Sequence, residues 1–279
     1  MADGVGKAWL INWHKPDTTY GTNHREHGLE RTMMNETEQL LKRFQELAEK
    51  AYARDICLFT NFLNLNELDI FYKNENSFRY IDTEAFGGAI YCERKILRFG
   101  NLNLPYPVSC IHIRPVIKKF SDTLTHRDFL GALINLGIKR ETLGDILVRE
   151  DEAYVFCLDS MADFITDNLD RVKHTVITCR KTEQIPETNL YNIKEKKLNT
   201  ASLRLDALIG EVYDHSRSQS QQIIRERKVF VNGRLIENNS YTVKPEDTVT
   251  VRGMGKFIFD SVINTTKKGR YNILVKMFV

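Results

Sequence analysis

Asn232-Gly233 is the feature that most restricts what this chain can become. Both residue types tolerate positive φ, which a two-residue hairpin turn requires. Val229, Val231 and Leu235 give the flanking runs a buried face. Pro245-Glu246-Asp247 supplies a second turn, after which Thr248–Arg252 returns as a strand. Upstream, Leu205, Leu208, Ile209 and Val212 fall on one helical stripe that Ser202 or Thr200 can cap, with Arg204 and Asp206 off the stripe. Ser216 and Gln219 have capping-box spacing and open a second helix, whose apolar contribution is only Ile223 and Ile224. Two short helices therefore feed a tight hairpin.

The second helix carries cations. Arg217, Gln221, Arg225 and Lys228 lie within about 80° of one another at 100° per residue. A helix with a thin apolar face and a basic stripe suits a seat on RNA phosphates. Its first turn, at Ser216 and Ser218, presents free N–H groups to the same chemistry. Arg204 before the first helix, Asn232 and Arg234 at the hairpin, and the loop Lys267-Lys268-Gly269-Arg270 complete the expected RNA-binding set. Charge follows the same division. Residues 198–279 hold 13 Lys+Arg against 8 Asp+Glu, whereas residues 1–197 hold 27 against 29. The electropositive end is the phosphate-binding end.

The rest of the chain reads in order. Residues 1–32 are polar and without period, and are expected to be disordered; Met33-Met34 opens a helix and is a candidate start of translation. Asn35 with Glu38 reads as a capping box for a helix to about Ala53. Phe59–Tyr72 reads as a second helix, with Asn64 or Asn66 near its start. Ser77–Ile81 and Lys95–Phe99 read as strands, and Gly87-Gly88 with Arg94 and Lys95 between them is a candidate secondary RNA or protein contact. From Val108 the order is β-α-β-β-α-β: Val108–Pro115, a helix capped by Thr125 and ended by Gly137, Asp145–Arg149, Ala153–Leu158, a helix through Phe164, Ile165 and Leu169, and Thr175–Cys179. That is the ferredoxin-like, RRM-like arrangement. Its third strand offers Tyr154 and Phe156 on one face but no Gly-Phe-Gly-Phe-type signature, so the face reads as core or protein interface rather than a base platform. Lys181–Asn199 is polar, a linker or an edge strand with a basic end.

Two catalytic look-alikes fail. Arg204-Leu205-Asp206 matches the catalytic triplet of pseudouridine synthases, but Ala-Leu-Ile-Gly follows it on a helical stripe. His126-Arg127-Asp128 lacks the phosphate loop and metal-binding segment of a kinase; Arg127, with Lys139 and Arg140, is instead a further candidate RNA or protein contact. The five cysteines form no C-x-x-C pair, which favours a reduced, cytoplasmic setting and leaves no expected metal or cofactor. No run approaches the roughly 18 apolar residues of a membrane span.

Arg204-Leu-Asp206, Ser216-Arg-Ser218 and Val229-x-Val-Asn-Gly233 together resemble the S4 RNA-binding domain. With Leu124–Ile146 and Thr266-Lys-Lys-Gly-Arg270, the chain over roughly residues 35–279 resembles the bacterial YlmH family. With the resemblance, the expectation is an α+β protein in five parts, of which the extension has no counterpart in the family. These are a disordered extension at 1–33, an N-terminal domain mixing helices and strands at 34–106, an RRM-like domain at 107–181, a linker at 182–200 and an S4-type domain at 201–279. The resemblance implies a monomeric, non-enzymatic factor that binds rRNA or tRNA on the large ribosomal subunit and rescues stalled peptidyl-tRNA complexes. A link to cell-division proteins, as a scaffold, and an RNA-modifying enzyme of pseudouridine-synthase type are the alternative expectations. Lys228 departs from the S4 pattern, which has glycine there, and is expected either to distort the turn or to add a cation.

Overall fold

A computed structural model describes residues 9–10, 27–100, 104–183 and 190–279. The chain divides into two compact units, Met1–Ile185 and Pro186–Val279.

In the first unit, β1 (Trp9–Leu10) pairs in parallel with β2 (Leu58–Phe59), and α1 runs from His27 to Arg54. The expected disordered extension thus contains a strand and the first turns of a helix; its other residues lie outside those described. Asn35 sits inside α1, where it accepts a hydrogen bond from Gln39 at 3.0 Å, and it caps nothing. The second helix, α2 (Leu65–Lys73), starts six residues later than its apolar spacing suggests, because Asn64 caps it. The Asn64 side chain accepts the Asn66 and Glu67 N–H groups, and the Glu67 carboxylate accepts the Asn64 N–H at 2.8 Å. The strand expected at Ser77–Ile81 is absent. A 3-10 turn spans Glu75–Phe78 instead, since Phe78 stacks on Phe71 at 5.3 Å and both join Phe44 and Phe99 in the core. The chain then forms β3 (Thr83–Phe86) and β4 (Ile96–Phe99), giving the order β1-β2-β4-β3.

The next elements are β5 (Val108–Pro115), α3 (His126–Asn135), β6 (Leu143–Arg149), β7 (Glu152–Leu158), α4 (Asp159–Asn168), β8 (Arg171–Val172) and β9 (Thr175–Thr182). The sheet order β6-β7-β5-β9-β8 is ferredoxin-like, with β8 an added hairpin strand. Ile111, Ile113, Ala153, Val155, Cys157 and Ile177 face α3 and α4 and build the core.

One polar joint explains why the two parts of this unit fold as one. Arg94 turns inward. Its Nε donates to the Leu143 carbonyl at 2.8 Å, and one terminal nitrogen donates to the carbonyls of Phe62 and Arg140 at 2.9 and 3.2 Å. Asp145 accepts the backbone N–H groups of Glu93 and Arg94 at 2.7 and 3.0 Å. Arg140 donates to the carbonyls of Leu143 and Gly144. Burial, together with the neighbouring Arg94 charge, pulls the Arg140 pKa down to about 10. Beside this joint Gly88, at φ +103°, lies flat on the fully buried Phe156 ring; a Cβ there would stand 2.1 Å from Phe156 Cδ1.

The second unit has β10 (Ile193–Thr200), α5 (Leu205–Tyr213), α6 (Arg217–Arg225), β11 (Val229–Val231), β12 (Arg234–Leu235), β13 (Thr248–Val251), β14 (Gly255–Thr265) and β15 (Tyr271–Phe278). Its sheet runs β10-β15-β14-β13-β11-β12. Of the two readings of Lys181–Asn199, linker or edge strand, the described residues 193–200 take the second: β10 is an edge strand paired with β15 along its whole length. Leu205, Leu208, Ile209 and Val212 are buried as the stripe requires, packed on Val229, Val249, Phe257 and Val275. Neither Ser202 nor Thr200 caps α5; Arg204 occupies the cap position, and the Thr200 hydroxyl donates to the Ser202 carbonyl.

Candidate nucleic-acid interface

The second unit carries an open groove of about 710 Å³ where the end of β10 meets the α5–α6 corner. Arg204, His215 and Arg217 bring positive or protonatable groups to it, and Glu211 and Asp214 lie at its wall. Beneath these sits Asp206, whose side chain is 2% exposed. Arg204 grips both carboxylate oxygens, Nε to Oδ1 at 3.0 Å and a terminal nitrogen to Oδ2 at 2.8 Å. Gln221 Nε2 donates to Oδ2 at 3.1 Å, and Arg217 Nε stands 3.6 Å from the same oxygen. Burial pushes the Asp206 pKa up. The hydrogen bonds from Arg204 and Gln221, with the charges of Arg204 and Arg217, outweigh burial and hold it below the usual carboxylate value.

The consequence is a fixed cationic rim. Arg204 remains 34% exposed and Arg217 70% exposed, so each guanidinium keeps outward donors while Asp206 limits its rotamers. Asp206 was read from its spacing as lying off the buried stripe; it is buried because α6 packs across it. Gln221 is accordingly an internal anchor rather than a free contact.

Ser216 caps α6. Its hydroxyl accepts the Gln219 N–H at 3.3 Å, and Gln219 Oε1 accepts the Ser216 N–H at 2.8 Å. Ser218 is exposed and lies 3.0 Å from the Ser216 hydroxyl. Arg225 is exposed about 12 Å further along the helix at 1.5 Å per residue. Arg270 ties the base of the Lys267–Lys268 loop to Asn199 and, at 3.4 Å, to Glu211 on the groove wall; Lys267 and Lys268 themselves are exposed. The fold thus brings Arg204 and Arg217 to one groove, with Gln221 and Arg270 bonded to its lining residues Asp206 and Glu211.

Other expected contacts are placed differently. Lys228 lies past the end of α6 and pairs with Glu226 at 2.6 Å. The residue with left-handed backbone is Arg227, at φ +58°, so the expected distortion does not fall on Lys228. Arg227 N–H bonds to Ile224 and Lys228 N–H to Ile223, a Schellman ending. Asn232 serves the hairpin: its amide donates to Asp247 at 2.7 Å and its carbonyl accepts the Thr248 N–H at 2.9 Å. Arg234 is exposed on β12. In the first unit Arg94 and Arg140 face carbonyls, not solvent, and Lys95 is half-buried; only Arg127 and Lys139 of that group are exposed. His215 and Asn199 were not singled out in the sequence. Both earn their places from the α5–α6 corner and the β10–β15 pairing, which no local spacing encodes.

Asp206 bears on catalysis as well. Three hydrogen bonds, two from Arg204 and one from Gln221, already engage its carboxylate, and the side chain is 2% exposed. Asp128 of the His126-Arg127-Asp128 triplet closes the α3 capping box with Thr125 and pairs with Lys173 at 2.9 Å.

Comparison with known proteins places two domains in this frame. Residues 105–185 match the family model described as "Putative RNA-binding domain in YlmH", and residues 203–249 match the S4 domain. Ribosome-associated protein quality control protein P2 of Bacillus subtilis is 28% identical over 153 residues, 54% of this chain and 59% of that protein. Small ribosomal subunit protein uS4 of Nitrosospira multiformis is 38% identical over 68 residues, 24% of this chain and 30% of that protein. The match therefore spans less than two thirds of either relative. The solved structure of cell division protein ylmH from Streptococcus pneumoniae aligns with a TM-score of 0.41 and 19% identity, over 59% of this chain and 96% of that one. The chain thus carries two segments in order, one similar to the RNA-binding domain of YlmH and one similar to the S4 domain.

Proposed function

We propose that the second unit holds structured RNA by its phosphates, at the groove rimmed by Arg204 and Arg217 and extended by Arg225 and the Lys267–Lys268 loop. The observation that carries this reading is the buried Asp206 with its three donors. A guanidinium already held in place loses less entropy when it meets a phosphate, and its planar fork matches two oxygens. Recognition of this kind follows the shape and charge of RNA rather than its base sequence.

At the level of the whole protein, the chain acts as a non-catalytic RNA-binding factor that works on the large ribosomal subunit in rescue of stalled peptidyl-tRNA complexes. Support comes from the S4 match, from the similarity to ribosome-associated protein quality control protein P2 of Bacillus subtilis, and from the engaged state of Asp206, the residue a pseudouridine-synthase reading needs free. The test is sedimentation of the tagged chain through a sucrose gradient, followed by sequencing of crosslinked RNA. Co-migration with large subunits and crosslinks to their rRNA or to tRNA are expected. Migration with free protein, or an altered nucleoside in RNA from cells lacking the gene, would sink the reading.

A further inference from the structure

The first unit turns two tyrosines outward and holds them against each other. Tyr52, near the end of α1, is 63% exposed, and Tyr80, just after the Glu75–Phe78 turn, is 45% exposed. Their rings meet edge to face, centroids 5.4 Å apart and planes at 87°. The backbone on both sides is anchored. Ala48 and Ala51 seat this part of α1 in the core. Phe78 and Ile81, both buried, bracket Tyr80, and the Ile81 N–H bonds to the Phe78 carbonyl at 3.1 Å. Two large rings are thus kept in solvent by rigid elements, and the edge-to-face arrangement leaves ring faces uncovered.

Acids flank the pair. Glu49 lies one turn before Tyr52 on the same face of α1, and Asp55 follows the helix end, its N–H bonded to the Tyr52 carbonyl at 3.4 Å. Both are exposed, and neither enters an ion pair among the described residues. Partial burial and the Glu49 charge both raise the Tyr80 pKa, which sets that carboxylate close to the Tyr80 hydroxyl. The nearest cations of α1, Lys50 and Arg54, lie two residues from Tyr52, about 160° around the axis. Arg79 adjoins Tyr80 in sequence, so the acidic side of the platform is its α1 side. Residues 34–106 hold 9 Lys+Arg against 11 Asp+Glu, and Arg94 is enclosed in the polar joint. The rings therefore belong to an acidic part of the chain, unlike the second unit.

We propose that this platform docks a basic protein segment, with an arginine or lysine side chain over the Tyr52–Tyr80 rings and its charge met by Glu49 and Asp55. The ring quadrupole attracts cations, arginine most often, and exposed tyrosines are frequent anchors of protein interfaces. Unpaired RNA is the competing occupant of solvent-facing rings. Two carboxylates beside them repel its phosphates, and so favour a cationic partner. The platform lies outside both matched segments, 105–185 and 203–249, and is independent of the groove in the second unit.

The experiment uses the full chain and a fluorescent peptide of five Arg-Gly repeats, with five Glu-Gly repeats and a ten-nucleotide oligouridine as counterparts. The arginine peptide is expected to bind and the glutamate peptide to remain free. Tyr52→Ala with Tyr80→Ala is expected to weaken arginine-peptide binding about tenfold, from the loss of two cation-attracting faces. Tyr52→Phe with Tyr80→Phe is expected to keep it within about twofold, because the faces remain. Glu49→Gln with Asp55→Asn is expected to weaken binding and flatten its salt dependence. In parallel, a photo-crosslinker on the arginine peptide is expected to label residues 45–55 or 79–82 of the unaltered chain, which needs no variant to fold. Unchanged affinity in a folded double-alanine variant, or crosslinks confined to other residues, overturns the proposal. So does loss of oligouridine binding in that variant, which assigns the rings to RNA.

Discussion

Arg204 and Asp206 are two residues apart, yet their side chains meet through two hydrogen bonds with the carboxylate 2% exposed and the guanidinium still open to solvent. A charge pair of this form orients a cation rather than cancelling it. Removing the acid therefore has a distinctive sign. Asp206→Asn makes the chain more positive, and a purely additive charge model predicts tighter RNA binding. The expected result is weaker binding, with a loss of about 1–2 kcal/mol in stability after discounting for the exposed arginine. Fluorescence anisotropy with a structured RNA, alongside denaturant titration, checks both.

Arg217→Ala with Arg225→Ala removes two exposed cations from α6 and leaves its cap at Ser216 intact. Each phosphate contact contributes about 0.7–0.9 to the slope of log affinity against log salt. The double variant should flatten that slope by about 1.5 on structured RNA. An unchanged slope removes these residues from the interface.

Arg227, at φ +58°, pays the steric cost of a side chain in left-handed backbone. Arg227→Gly is expected to stabilise the second unit by about 1 kcal/mol, reading as a raised denaturation midpoint with unchanged slope. Lys228→Gly, the substitution suggested by the S4 pattern, should give no gain.

Gly88→Ala places a methyl group into the Phe156 ring on a backbone of φ +103°. A loss of about 2–4 kcal/mol is expected, confined to the first unit. Arg94→Ala should cost about 2–3 kcal/mol by stranding the carbonyls of Phe62 and Arg140, while Arg140 still donates to that of Leu143. Neither change should alter RNA binding by the second unit, and that separation is measurable by hydrogen exchange.

Asp128 is held at about 2, first by the Thr125 hydroxyl and then by Lys173 and the Thr125 N–H. The unfolded chain takes up its proton near 3.8, before the folded chain does. Its contribution is therefore complete above about pH 4 and disappears as pH falls through about 2. Asp128→Asn should flatten that part of the acid limb in melting curves taken between those two values.

Local features were legible in the sequence and long-range ones were not. The stripe of Leu205, Leu208, Ile209 and Val212 and the turn at Asn232-Gly233 depend on neighbours within a few residues, and both fold as their spacing dictates. Asp206 differs. Its burial depends on α6 crossing α5 so that Gln221 reaches it from fifteen positions away. Arg94 looks like a surface cation beside two glycines until its partners arrive from Phe62, Arg140 and Leu143. Tyr154 and Phe156 share a face, as alternation requires. Only the β5–β7 register reveals that Tyr154 gains His112 as a partner ring, while Phe156 is sealed under Gly88.

The pairing of β10 with β15 joins Ile193 to Phe278 and Thr200 to Tyr271. During synthesis, β10 emerges well before the strand that completes it. At the 5–20 residues per second of translation the wait is roughly 4–17 s, long compared with hairpin formation. Through that interval the nascent chain displays an unpaired strand, a template for misassociation with neighbouring chains. Lys194, Glu195, Lys196 and Lys197 sit in that strand. The same run that reads as a polar spacer keeps a growing polypeptide from sticking to its neighbours until its partner strand is made.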